Sequence, residues 1–117
     1  MTSDQVPRVE AYFNEKSSKD IVFLPKIFSK DGVCYLYELE IRFSNSKYSR
    51  KEAVFERLKK IVDNCSGYSM ILVSDSSSFA RGIMQIGIGC CNHGFRFDHL
   101  TKMVDKIKKT IEDSPAD

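Results

Sequence analysis

The chain has 117 residues, of which 42% are hydrophobic and 29% are charged. This balance is typical of one folded domain, and it excludes a disordered chain or two independent cores. The formal net charge of +2 does not call for a polyanionic partner. No apolar run approaches the roughly 20 residues needed to cross a bilayer, so we expect no membrane association.

The four cysteines are expected to be reduced thiols. They are Cys34, Cys65, Cys90 and Cys91. Met1 is followed at once by polar residues, without the apolar stretch of a secretory signal. We therefore expect a cytoplasmic or nuclear protein, where disulfides are rare.

The first nineteen residues allow two interpretations. An apolar cluster at Val9, Ala11, Tyr12 and Phe13 interrupts a polar segment, and Pro7 suits the first turn of a helix. These features favour a short helix that docks on the core, and the alternative is a flexible arm.

A β-hairpin is predicted next. Strand-forming residues run from Asp20 to Phe28, and Pro25 predicts either an edge strand or a bulge at that point. Asp31 and Gly32 supply the positive φ angles of a tight turn. The second strand alternates from Val33 to Phe43. One face is expected to carry Val33, Tyr35, Tyr37, Leu39, Ile41 and Phe43, and the other Leu36, Glu38, Glu40 and Arg42.

The first long helix is predicted from about Arg50 to Asn64. Ser49 and Glu52 match a capping box, and Gly67 suits the end of the helix. Its apolar stripe comprises Val54, Leu58, Ile61, Val62 and Cys65.

Two further strands and a helix complete the pattern. Tyr68 to Asp75 predicts a strand that is apolar on both faces, as a central strand would be, and Gly82 to Cys91 predicts a fourth strand. A last helix is expected to begin near Asp98. Its apolar stripe comprises Leu100, Met103, Val104, Ile107 and Ile111.

These elements predict an α+β fold. We expect a four-stranded, mainly antiparallel sheet in ββαββα order, with two helices on one face and the short N-terminal helix before them. The expected boundaries are an N-terminal arm or helix at 1–19, one domain at 20–113 and a C-terminal tail at 114–117.

The best candidate contact site is a basic stretch. Residues 42–60 contain seven bases and two acids. The candidate contacts for an acidic partner or nucleic acid are Arg42, Lys47, Arg50, Arg57 and Lys60. Glu52 and Glu56 lie among these bases at helical pair spacing, so an ordinary salt-bridged surface is the alternative.

Other motifs give weaker signals for chemistry. Cys90-Cys91-Asn92-His93 contains metal-ligand and thiol residue types, but the sequence has no second close pair of ligands. Ser74 to Gly82 contains hydroxyls and Arg81, yet a strand rather than a helix is predicted to follow this loop. Glu38 and Glu40 are expected to stay ionised beside Arg42, which does not suit acid–base catalysis. We expect no metal and no cofactor.

The sequence therefore favours a non-catalytic protein–protein interaction module, such as a small subunit or adaptor of an intracellular complex. The partner would be another protein or a second copy of the chain, bound through a face or edge of the sheet. A nucleic-acid-binding domain is the alternative, and a small enzyme centred on Cys91 and His93 is the third hypothesis.

Overall fold

Three helices and an antiparallel sheet make up the described part of the chain. The computed structural model describes residues 4–43, 47–64, 71–73, 81–88 and 97–116. In chain order the elements are α1 (Val6–Lys16), β1 (Ile21–Lys30), β2 (Val33–Phe43), α2 (Glu52–Asn64), β3 (Ile71–Val73), β4 (Ile83–Ile88) and α3 (Phe97–Glu112).

The β1–β2 hairpin forms one side of the sheet, as predicted. Asp31 and Gly32 have φ angles of 54° and 77°, so the chain turns back within two residues. The strand order is β1-β2-β4-β3 with antiparallel neighbours. The edge position predicted from Pro25 is therefore confirmed for β1 within the described sheet.

The strand predicted at 68–75 is not confirmed at its expected length, and within the described sheet it lies at an edge rather than at the predicted central position. Of the range 68–75, only Ile71–Val73 is described, and these three residues pair with Ile86–Ile88. The body of the sheet consists of β1, β2 and β4. Counted by these three longer strands, the described elements after α1 follow the order ββαβα, whereas the sequence predicted ββαββα; residues 68–70, 74 and 75 lie outside the described part of the chain.

One face of the sheet is covered by helices. Buried side chains of all three helices join a single core cluster with Ile21, Phe23, Leu39, Ile41, Met84 and Ile86 of the strands. The predicted stripe of α3 is confirmed, since Leu100, Met103, Val104, Ile107 and Ile111 are all buried. We call this the covered face. The opposite face, which carries none of the described helices, is the open face.

The N-terminal segment contains the docked helix rather than a flexible arm. Val9 and Phe13, one helical turn apart, are buried in the core. The phenol of Tyr12 donates a hydrogen bond to the backbone oxygen of Thr101 at 3.4 Å. Lys16 forms an ion pair with Asp105 at 2.9 Å. These contacts hold α1 against α3.

Helix α2 begins two residues later than the capping box predicts. The carbonyl of Lys51 accepts hydrogen bonds from the N–H groups of Val54 and Phe55, so Lys51 precedes the first turn. The hydroxyl of Ser49 accepts a bond from the Lys51 N–H at 3.3 Å and closes a local turn instead of capping the helix.

A β-bulge divides the hairpin into two halves. Lys26 faces Glu38, but the next residue, Ile27, faces Leu36. Tyr37 is therefore an extra residue in β2, and the alternation of side chains restarts on its far side.

The bulge makes the predicted face assignment wrong for the half of β2 near the turn. Leu39, Ile41 and Phe43 lie in the core as expected, whereas Cys34 and Leu36 are buried in place of Val33 and Tyr37. Leu36 thus belongs to the covered side, and the aromatic residues around it face outward.

A close backbone contact fixes the start of β4. Gly82 is buried with a φ of 76°, and its carbonyl accepts a hydrogen bond from the Phe43 N–H at 2.9 Å. A Cβ atom at Gly82 would collide with the Phe43 carbonyl and with the guanidinium of Arg50, which itself donates to that carbonyl at 3.0 Å. Only glycine fits here without displacing these groups.

Two glycine-to-alanine substitutions distinguish the energetic cost of this collision from the cost of a positive φ angle. Gly32 has nearly the same φ angle, but a Cβ there would meet open space. We expect Gly32→Ala to lower the free energy of unfolding by about 1 kcal/mol, and Gly82→Ala to lower it by at least about 2–3 kcal/mol. Urea unfolding followed by circular dichroism measures both. Equal losses would show that the contact between Gly82, Phe43 and Arg50 is unimportant.

Candidate interaction surface

Exposed aromatic side chains gather on the open face near the turn of the hairpin. Phe28 and Tyr35 face each other across the strands with ring centroids 5.1 Å apart and planes 25° apart. The ring of Tyr37 lies 5.4 Å from that of Phe28. Phe28 is 45% exposed, Tyr37 43% and Val33 39%. We call these four residues, Phe28, Val33, Tyr35 and Tyr37, the aromatic patch.

The aromatic patch has the composition of a binding surface. Aromatic rings offer a large contact area with few rotatable bonds, and the two tyrosines also carry hydroxyl groups. Stacking of Phe28 on Tyr35 orders both rings in advance, so a partner would lose little side-chain entropy on binding them. The patch therefore presents both apolar surface and hydrogen-bonding groups to solvent.

A charged network occupies the middle of the open face. Glu40 accepts hydrogen bonds from Arg42 Nε at 2.8 Å and from Gln85 Nε2 at 3.2 Å. Lys26 Nζ lies 2.9 Å from Glu38 and 3.7 Å from Glu40. Glu40 is only 5% exposed, because these neighbours cover it. Glu40 lies on the face opposite Leu39 and Ile41, as the alternation predicts, but it is buried there.

The environment keeps Glu40 ionised. Burial alone raises the pKa of its carboxyl, but the hydrogen bonds from Gln85 and Arg42 and the charges of Arg42 and Lys26 outweigh it. The pKa of Glu40 therefore lies below its ordinary value. Catalytic carboxyls that exchange protons near neutral pH need the opposite shift, so this buried acid is suited to holding the strands together.

Three of the five candidate bases from the sequence lie at one end of the sheet. Arg42 is on the open face, with its side chain 58% exposed. Lys47 Nζ lies 3.0 Å from the carboxylate of Asp20, to which it donates a hydrogen bond. This hydrogen bond raises the pKa of Lys47. Arg50 donates to the Phe43 carbonyl, and its guanidinium lies 5.8 Å from the Phe43 ring centroid.

The other two candidate bases lie on α2, away from the open face. Arg57 Nη2 donates a hydrogen bond to the hydroxyl of Ser114 at 3.0 Å. The carbonyl of the same Ser114 accepts a hydrogen bond from the N–H of Ser49 at 2.8 Å. Arg57 thus ties α2 to the end of α3. Lys60 is exposed on α2. The structure does not gather the five predicted residues into one patch.

The first half of the β1 edge is protected against added strands. Ser18 exchanges hydrogen bonds with the backbone of Ile21, and the Ser17 hydroxyl accepts a bond from the Phe23 N–H at 2.9 Å. Pro25 has no N–H to offer. Strand addition needs these donors, so the open face is the better candidate for association than this part of the edge.

The remaining motifs lie largely outside the described residues. Cys65, Cys90, Cys91 and His93 belong to undescribed segments, as does the loop 74–80. Cys34 is buried, and its Sγ lies 3.2 Å from the hydroxyl of Ser29. Among the described residues, no cluster of three or more His, Cys, Asp or Glu side chains is placed to hold a metal ion.

Comparison with known proteins gives no relative for this chain. No protein-family model matches it, and searches of curated proteins and of solved structures return no match. Across the described ranges, no helix has both the length and the apolar character that crossing a bilayer requires.

The charged network predicts a pH-dependent contribution to stability. At pH 7 we expect Glu40→Gln to lower the free energy of unfolding by about 1–2 kcal/mol, because bonds to a charged acceptor are stronger. The pKa of Glu40 in the folded state lies below its ordinary value of 4.5. Its ionised form therefore stabilises the fold above that pH, and the contribution disappears as the pH falls through the lower, folded-state value.

Urea unfolding at pH 7 and at pH 3 measures this contribution. The difference between wild type and Glu40→Gln should shrink at the lower pH. Glu10→Gln, at an exposed position on α1, is the control and should differ little from wild type at either pH. A Glu40→Gln difference that stays constant with pH would contradict the assignment.

Proposed function

We propose that this chain is a non-catalytic protein–protein interaction module, a small subunit or adaptor of an intracellular complex. The aromatic patch on the open face is the docking surface. The observation that carries the proposal is the exposure of Phe28 and Tyr37, whose ring centroids lie 5.4 Å apart, together with that of Val33 on the same hairpin. Contiguous exposed aromatic surface of this kind marks association sites.

The partner surface follows from the layout of the open face. The aromatic patch would form the apolar centre of the contact, where aromatic anchors contribute most of the binding energy. The Lys26, Glu38, Glu40 and Arg42 network lies beside it and would form the polar rim. The partner is another protein or a second copy of this chain.

Nucleic-acid binding is the second candidate function. Aromatic side chains on an open antiparallel sheet can stack unpaired bases, and Lys26 and Lys30 lie on the strand that carries Phe28. Glu38 and Glu40 on the same face weigh against a polyanion. Of the residues first suggested by the sequence, Arg42, Lys47, Arg50, Arg57 and Lys60, only Arg42 lies within the open-face network.

Removal of the aromatic patch tests the proposal. The double variant Phe28→Ser/Tyr37→Ser should lose association at least about 30-fold, since two exposed aromatic anchors are deleted. The loss of the two ring contacts of Phe28, with Tyr35 and with Tyr37, should cost less than about 2 kcal/mol of stability, and circular dichroism checks that the variant folds. Leu24→Ser is the matched control, because Leu24 is 37% exposed on β1 outside the patch.

Two measurements identify the partner. Size-exclusion chromatography with light scattering on the reduced protein detects a second copy. Affinity capture from source cells, followed by reconstitution with the purified candidate, detects another protein. Binding that survives in Phe28→Ser/Tyr37→Ser but fails in Leu24→Ser would overturn the proposal. Co-purified nucleic acid that is lost only in the double variant would favour the second candidate.

A further inference from the structure

A basic groove lies at the opposite end of the open face from the aromatic patch. It forms where β1 begins, β2 ends and β4 begins, since Ile21 pairs with Phe43 and Arg42 pairs with Ile83. The groove has a volume of about 350 Å³. Its lining residues are Lys19, Asp20, Val22, Arg42, Phe43, Arg81, Gly82 and Ile83. We call it the basal groove.

Positive charge dominates the basal groove. Three exposed bases line the groove, namely Lys19, Arg42 and Arg81. Its lining contains one acid, Asp20. That acid is already engaged, because Lys47 Nζ lies 3.0 Å from its carboxylate. Lys19 and Arg81 form no ion pair with any residue in the described ranges. The lining therefore leaves an excess of positive charge at a concave site.

The two guanidinium groups suit a tetrahedral oxyanion. The bond from Arg42 to Glu40 uses Nε, and no other described residue accepts a hydrogen bond from this side chain. Its remaining N–H donors are thus available to a ligand. Arginine presents these donors as a planar fork that matches two oxygens of a phosphate group.

The fold also keeps the basal groove preformed. Gly82 and Phe43 both line the groove; Gly82 is buried at a positive φ, and Arg50 donates a hydrogen bond to the Phe43 carbonyl at 3.0 Å. Val22 and Ile83 flank Arg42 on the neighbouring strands, so apolar side chains border the charged centre. A preformed groove lowers the entropy that binding must overcome.

We propose that the basal groove binds a phosphate group through Lys19, Arg42 and Arg81. The phosphate belongs either to a small phosphorylated molecule or to the backbone of a nucleic-acid strand. Both share the chemistry that the groove recognises. The inference does not depend on the proposed function, because the basal groove shares no residue with the aromatic patch and only Arg42 with the polar rim beside it.

Titration of the ¹⁵N-labelled protein with inorganic pyrophosphate tests the site by NMR. Saturable amide shifts are expected at the lining residues Lys19, Asp20, Phe43, Gly82 and Ile83. Arg81→Gln and Lys19→Gln should each weaken binding about five- to tenfold, since each removes one charged donor. Lys60→Gln removes the same charge on α2 and should leave the affinity unchanged. The spectrum of each variant shows directly whether it folds.

A parallel titration with a single-stranded oligouridylate distinguishes the two sources. Tighter binding of the oligonucleotide, weakened by Arg81→Gln, assigns the groove to a nucleic-acid backbone. Tighter binding of pyrophosphate assigns it to a small phosphorylated ligand. The proposal is overturned if neither probe gives saturable shifts at the groove, or if Lys60→Gln weakens binding as much as Arg81→Gln does.

Discussion

The extra residue at Tyr37 decides which side chains of the hairpin face the core and which face water. Before the bulge Cys34 and Leu36 are buried, and after it Leu39, Ile41 and Phe43 are. Without the shift in register, one continuous alternation would bury Tyr35 and Tyr37 and expose Leu36. The bulge thus allows the end of a long hairpin to present aromatic rings while the rest of the same strands closes the core.

The open face carries a different kind of side chain in each of three regions along its length. Aromatic rings lie near the turn, a neutralised network around Glu40 lies in the middle, and bases surround the opposite end. Glu38 and Glu40 pair with Lys26 and with Nε of Arg42, so the centre of the open face carries little net charge, and Arg42 also lines the basal groove. The two proposed contacts therefore lie at opposite ends of the open face, one apolar and one positively charged.

Sequence reasoning succeeded where one local rule determines the structure. The Asp31-Gly32 turn and the stripe of α3 follow from backbone preference and helical period. Sequence reasoning failed at the bulge because every residue from Val33 to Tyr37 is apolar or aromatic. The alternation of polar and apolar residues therefore does not show which of these side chains face the core. The one hint in the sequence is Pro25, which predicts either an edge strand or a bulge and lies close to the point where the register shifts.

The candidate bases show a second reason for failure. Their closeness in sequence suggested one patch, yet Arg50 and Arg57 turn towards Phe43 and Ser114 as structural donors. The basal groove instead combines Arg42 with Lys19 and Arg81, which are distant along the chain. Only the pairing of β1, β2 and β4 brings these three together.

Site-specific photo-crosslinking tests the central claim, that the aromatic patch docks a protein, most directly. A photoreactive benzoylphenylalanine in place of Phe28 keeps an aromatic group in the patch, and the same residue in place of Lys60 serves as the reference. We predict an adduct with one protein, or with a second copy of this chain, from position 28 and not from position 60. An adduct with nucleic acid at position 28, or equal adducts at both positions, would contradict the account.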